Sequence, residues 1–133
     1  MLPKIWGKYA WNFIHLVTLS YPDNPTCEDK RQYYIFFTSL KNVLPCAKCK
    51  FNMEKHLKKF PLTDEILSSK QNLIKWAIDL HNVVNYYTGK TMLTHDEALN
   101  EIYNLTNPPK SNYYIYIIII IIVLIILYLL IKN

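Results

Sequence analysis

The chain has 133 residues and a formal net charge of +5, enough length for one modest core and too little for two independent ones. Only two glycines are present, Gly7 and Gly89, which excludes the glycine-rich phosphate loops of Rossmann and P-loop proteins. The basic balance suits anionic lipid or an anionic cofactor. No nucleic-acid-binding motif accompanies it, so no nucleic-acid partner is expected.

The expected elements are helical throughout. A first helix spans about Lys8 to Leu19, with Ala10, Phe13, Ile14 and Val17 at helical spacing, and stops at Tyr21-Pro22. After the Pro22–Thr26 loop, a second helix from Cys27 to Val43 carries Tyr34, Ile35, Phe37 and Leu40, with Leu44 beyond its end. Pro45 interrupts, and a third helix runs from near Cys46 to about Lys59, before a turn at Pro61–Asp64. A fourth, about Ser69 to Tyr87, sets Leu73, Trp76, Ala77, Leu80 and Val84 on one stripe, with Gly89 just past its end. Thr94 and Glu97 form a capping-box pattern for a short fifth helix to Tyr103. Helices joined by short turns predict an all-α, four-helix bundle with a short fifth helix, filling residues 1–105.

Residues 106–112, with Asn107-Pro108-Pro109, read as a linker to a final helix over 113–131. That segment holds no charge, proline or glycine. At helical rise its length is about 28 Å, close to the hydrocarbon thickness of a bilayer. A globular core helix needs a polar face for water, and this segment has none. Tyr113, Tyr114, Tyr116 and Tyr128 suit the interfacial zones, with Lys110 and Lys132 as flanks. No apolar stretch at the N-terminus reads as a signal peptide. The expectation is a single-pass protein held in membrane lipid by a C-terminal anchor, with the domain facing the cytosol.

Three motifs carry chemistry. Cys46-Ala47-Lys48-Cys49 follows Pro45. At i and i+3 on a helix, two cysteines fall within disulfide range, and a helix start flanked by Lys48 and Lys50 favours thiolate. The pair alone reads as redox-active, as half of a zinc site completed by His15, His56, His81 or His95, or as inert. On the fourth helix, His81, Asn82 and Asn85 share a face beside an apolar stripe; they read as a ligand face or a solvated one. Trp11 and His15, following Trp6-Gly7, are i, i+4 neighbours that serve equally as core or as a cofactor platform.

Taken in order, Trp6-Gly7, Trp11, His15, Tyr21-Pro22, Leu44-Pro45-Cys46-x-x-Cys49, Trp76 and Leu80-His81-Asn82-x-Val84-Asn85 resemble the Erv/ALR family of FAD-linked sulfhydryl oxidases. Residues 5 to 104 are covered, and the compact chain looks most like the small members of large DNA viruses. The resemblance implies a bundle enclosing FAD and a reaction of dithiol with O2 to give disulfide and hydrogen peroxide. It implies that Cys46 exchanges with substrate and that Cys49 faces the flavin. By similarity, Trp11, His15, Trp76, His81, Asn82 and Asn85 line the cofactor pocket. Lys8 stands where relatives often place a basic residue, Lys90 is a candidate for the phosphates, and Tyr103 for covering adenine. No metal is implied. Expected partners are a thiol-containing protein substrate or a thioredoxin-like relay, with a homodimer as a further expectation. Family grounds place the chain at a virion or host cytoplasmic membrane.

Two departures stand out. Animal and fungal relatives carry a disulfide joining the fourth helix to the segment before the fifth; the matching positions here are Ile78 and His95, so a loosely held fifth helix is expected. Relatives often carry a separate shuttle cysteine pair, whereas this chain has only Cys27 besides the motif. The rival reading is a membrane-tethered zinc-binding protein or an inactive scaffold.

Overall fold

The computed structural model describes residues 1–107 and 112–132. The prolines of the expected linker and the flanking Lys110 lie outside the described residues. Among the described residues there are six α-helices, α1 (Pro3–Leu19), α2 (Cys27–Val43), α3 (Ala47–Lys59), α4 (Lys70–Tyr87), α5 (His95–Thr106) and α6 (Tyr113–Lys132), with one 3₁₀ turn at Ile66–Ser68. Among the described residues there are no strands.

Local chemistry explains where these helices begin and end. Helix α1 starts five residues earlier than expected because Pro3 occupies its first turn, where a missing N–H costs nothing and φ is already helical. Thr26 caps α2 by accepting from the Asp29 amide, while the Asp29 carboxylate accepts from the Thr26 amide at 2.8 Å. Ser69 caps α4 and Thr94 caps α5, the latter with Glu97 in the expected reciprocal box. Past α4, Gly89 adopts φ +68°, the left-handed conformation that a residue with a Cβ resists. Helix α5 continues one turn beyond the expected Tyr103.

Helix α1 packs on α4 and α2 on α3, with the 3₁₀ turn touching both α2 and α4. The main core gathers Ile14, Tyr21, Phe37, Leu40, Leu44, Met53, Leu67, Leu73, Trp76, Ala77 and Leu80. Burying each large side chain stabilises the fold by about 1.5–3 kcal/mol. The buried Tyr21 hydroxyl donates to the Leu67 carbonyl at 2.7 Å, tying the end of α1 to the 3₁₀ turn. Phe13, Tyr34 and Ile35, apolar positions of the first two helices, are about half exposed. The buried stripe of α1 is instead Ile14, His15 and Thr18, and α2 turns Phe37 and Leu40 inward.

Helix α5 docks through a second cluster of Ile74 and Ile78 with Ala98 and Ile102. Ile78, which the resemblance sets at a cysteine position of other members, is only 2% exposed. The Asn82 side chain donates to the Leu93 carbonyl at 2.8 Å and accepts from the Leu93 amide at 3.0 Å. His95 meets Asp79 at 2.7 Å. Apolar packing, a two-point amide clamp and a polar contact thus tie the fifth helix and the segment before it to α4. Helix α6 buries none of its residues and is long and apolar enough to cross a membrane.

Candidate active site

Cys46 is the N-cap residue of α3, and its sulfur accepts from the Cys49 amide at 3.2 Å. The extended backbone forced on Leu44 by the following Pro45 ends α2 and turns the chain into α3. The two cysteines form a disulfide with Cα atoms 5.1 Å apart, at the end of α3 where aligned peptide dipoles stabilise negative charge. They differ in outlook. Cys49 lies on the wall of a cavity between α1, α3 and α4, whereas Cys46 does not.

That cavity, of about 200 Å³, is lined by Trp6, Trp11, Cys49, His56, Asn85 and Lys90 among others. A second, of about 370 Å³, lies between α1, α4 and α5 and is lined by Lys8, His15, His81, Asn82, Asn85 and Glu101 among others. Asn85 is a wall of both, so the cavities adjoin. Its side chain donates to the Thr91 carbonyl at 3.3 Å, and its backbone carbonyl accepts from the Lys90 amide at 2.9 Å. These bonds bring Lys90 to the rim.

The cavities are separated by stacked rings. Trp11 lies parallel to His81, with centroids 4.1 Å apart and planes inclined by 9°. His81 Nδ1 shares a 3.0 Å hydrogen bond with His15 Nε2. Burial pushes His15 down to about 4. Burial first, then the neighbouring His15 and Lys90, pushes His81 down to about 3. Both imidazoles are accordingly neutral at physiological pH and act as hydrogen-bonding rings rather than charges. Two buried polar atoms, Trp6 Nε1 and His15 Nδ1, have no hydrogen-bond partner. Such atoms are costly unless a ligand satisfies them.

Of the eleven residues expected at the site, nine meet here: Cys46 and Cys49, with Lys8, Trp11, His15, His81, Asn82, Asn85 and Lys90 around the two cavities. Trp76 and Tyr103 do not line them. Trp76 is 6% exposed in the main core and donates to the Phe60 carbonyl at 3.2 Å; Trp6, Trp11 and Cys49 pack against that core. Tyr103 lines a separate cleft with Leu19, Ile74 and Leu99. The turn of α5 that buries Ala98 and Ile102 sends Glu101 and Leu105 to the second cavity and Tyr103 away from it.

Residues outside the expected set also line the first cavity: Trp6, and Asn52, Met53 and His56 from α3. The last three follow Cys49 at i+3, i+4 and i+7, a helical-face signal already present in the spacing. His56 is pushed below its ordinary value by burial and then by Lys59. Among the described residues, no three of His, Cys, Asp and Glu gather where a metal ion would be held.

Comparison with known proteins supplies independent findings. The model of the Erv1 / Alr family matches residues 8–104. The chain is 58% identical over 114 residues to a protein of Acanthamoeba polyphaga mimivirus named a probable FAD-linked sulfhydryl oxidase, covering 86% of this chain and 80% of the relative. It is 27% identical to the FAD-linked sulfhydryl oxidase of African swine fever virus, over 71% of this chain and 77% of the relative. The crystal structure of the FAD-binding domain of Erv1 from Saccharomyces cerevisiae superimposes with a TM-score of 0.67 at 26% identity, covering 72% of this chain and 89% of that one.

Proposed function

The chain belongs to the Erv1 / Alr family, and from that premise we propose that it is an FAD-dependent sulfhydryl oxidase, converting thiols to disulfides with O2 as the oxidant. The observation that carries this reading is the Cys46–Cys49 disulfide at the start of α3, with Cys49 on the wall of a cavity that Trp6 and Trp11 also line.

The residues fit the cofactor. Two adjoining cavities sharing Asn85 suit a ligand with a ring system at each end. Trp6 and His15, whose buried Nε1 and Nδ1 have no hydrogen-bond partner within the described residues, each line one of the two cavities. Lys8 and Lys90 supply positive charge for a diphosphate, and the Trp11–His81 stack supplies flat apolar surface. Trp76 acts from behind, by fixing the core on which Trp11 rests. When bound, FAD accepts two electrons from a dithiol and passes them to O2, chemistry that sulfur alone does poorly.

The protein's own part is thiol–disulfide exchange. A substrate thiolate attacks Cys46 Sγ, the Cys46–Cys49 bond breaks, and Cys49 departs as thiolate on the cavity wall. A second substrate thiolate then displaces Cys46, releasing the substrate disulfide and leaving two electrons on the reduced pair. The start of α3 stabilises the anionic sulfur at each stage. Replacing Cys49 by Ser is expected to abolish turnover while FAD stays bound; an oxidase rate retained by Cys49→Ser would sink the assignment.

We extend the proposal to a finer reading, which the viral source of the relatives supports. Residues 1–105 form the catalytic unit, and α6 anchors it in a virion or host cytoplasmic membrane with the unit facing the cytosol. Lacking a second cysteine pair, the chain hands oxidising equivalents to a thiol-containing protein or a thioredoxin-like relay, working as a homodimer. Protease digestion of sealed membranes tests the topology: a unit protected from external protease on cytosol-facing vesicles contradicts it.

A further inference from the structure

Apart from Lys48, which reaches the wall of the first cavity beside Cys49, the outer face of α3 lies outside the cavities, yet it begins beside the exchanging cysteine. This helix contains five of the chain's 15 basic residues in 13 positions. Its one acid, Glu54, is paired with Lys58 at 2.9 Å. Lys48, Phe51, Lys55 and Lys59 recur at i, i+3, i+7 and i+11, so they form one stripe running away from the disulfide. All but Phe51 are cationic. Phe51 is 57% exposed, and the Lys55 ammonium lies 4.3 Å from its ring centre. Val43, at the end of α2 just before the motif, is 66% exposed.

We propose that this stripe is the docking surface for the thiol substrate and selects an extended segment whose cysteines are flanked by acidic residues. The inference rests on the oxidase reading and names its substrate class. Exchange requires a substrate sulfur to come in line with Cys46, so chain flanking that sulfur must lie over the surface next to Cys46. That surface is cationic, with a half-exposed aromatic among the charges. Acidic side chains complement the lysines, and an apolar residue between them covers Phe51. Charge of this kind speeds encounter and rejects basic competitors, more than it adds contact energy.

The test uses the full chain in discs of neutral lipid and two peptides with the same Cys-x-x-Cys centre, one flanked by glutamates and one by lysines. The acidic peptide is expected to show about tenfold higher kcat/KM at low salt, an advantage that shrinks as salt rises. Lys55→Glu with Lys59→Glu should erase that preference while leaving oxidation of dithiothreitol unchanged. A charge-matched control, Lys30→Glu with Lys75→Glu, should keep it. Equal kcat/KM for the two peptides overturns the proposal, as does a preference that survives the first pair or disappears in the control. Loss of binding to vesicles of anionic lipid without any change in peptide preference also overturns it, and assigns the stripe to the membrane. An unsubstituted chain that fails to oxidise dithiothreitol contradicts the oxidase reading, and this inference with it.

Discussion

The imidazoles of His15 and His81 share a 3.0 Å hydrogen bond in a place where a proton is penalised. Their ordinary value of 6.5 falls to about 4 and about 3 in the fold. The unfolded chain therefore binds more protons than the folded one below pH 6.5. Stability linked to this pair is fully present above 6.5 and is lost as pH falls through the window down to about 3. Chemical denaturation at pH 7 and pH 4.5 should show the loss, and His15→Gln with His81→Asn should flatten it; an unchanged slope would refute the assignment. Asn82 offers a second test at this scale. Asn82→Ala removes both bonds to Leu93 and is expected to cost about 1–3 kcal/mol, read from the urea midpoint. The cysteine pair was legible because its spacing is local and its chemistry follows from two residues and a helix start. The His15–His81 bond was not, since it joins positions 66 apart through the packing of α1 on α4.

Helix boundaries show the same division. The capping box of Thr94 and Glu97 and the break at Pro45 are written in adjacent residues, and α5 and α3 begin where those residues require. Which face each helix buries depends on its partners. Apolar spacing alone does not separate Tyr34 and Ile35 from Phe37 and Leu40 on α2, whereas in the fold only the last two are buried. Tyr103 faces a separate cleft for a similar reason, because Ala98 and Ile102 fix the rotation of α5 against α4. The connection between those helices depends on Gly89, at φ +68°, where an added Cβ would meet nothing within 4 Å. Gly89→Ala should therefore lower stability by about 1 kcal/mol through backbone strain alone. A thermal midpoint equal to that of the unsubstituted chain would show the turn to be relaxed.

For the whole molecule, the fold joins a redox helix start, two adjoining cavities and an apolar helix in one short chain. Helix α6 has mean hydropathy 3.4 and no buried residue among those described, so it is expected to hold the protein in membranes through alkaline carbonate washing. Release by that treatment would refute an anchor. The central claim, that the cavities beside Cys49 hold FAD for thiol oxidation, is tested most directly by one measurement on the purified full chain. The visible absorbance spectrum is recorded together with oxygen uptake in the presence of dithiothreitol. The expected result is one bound flavin per chain, with uptake that produces hydrogen peroxide. A colourless protein carrying stoichiometric zinc, or a flavin-bound protein that takes up no oxygen, would contradict it.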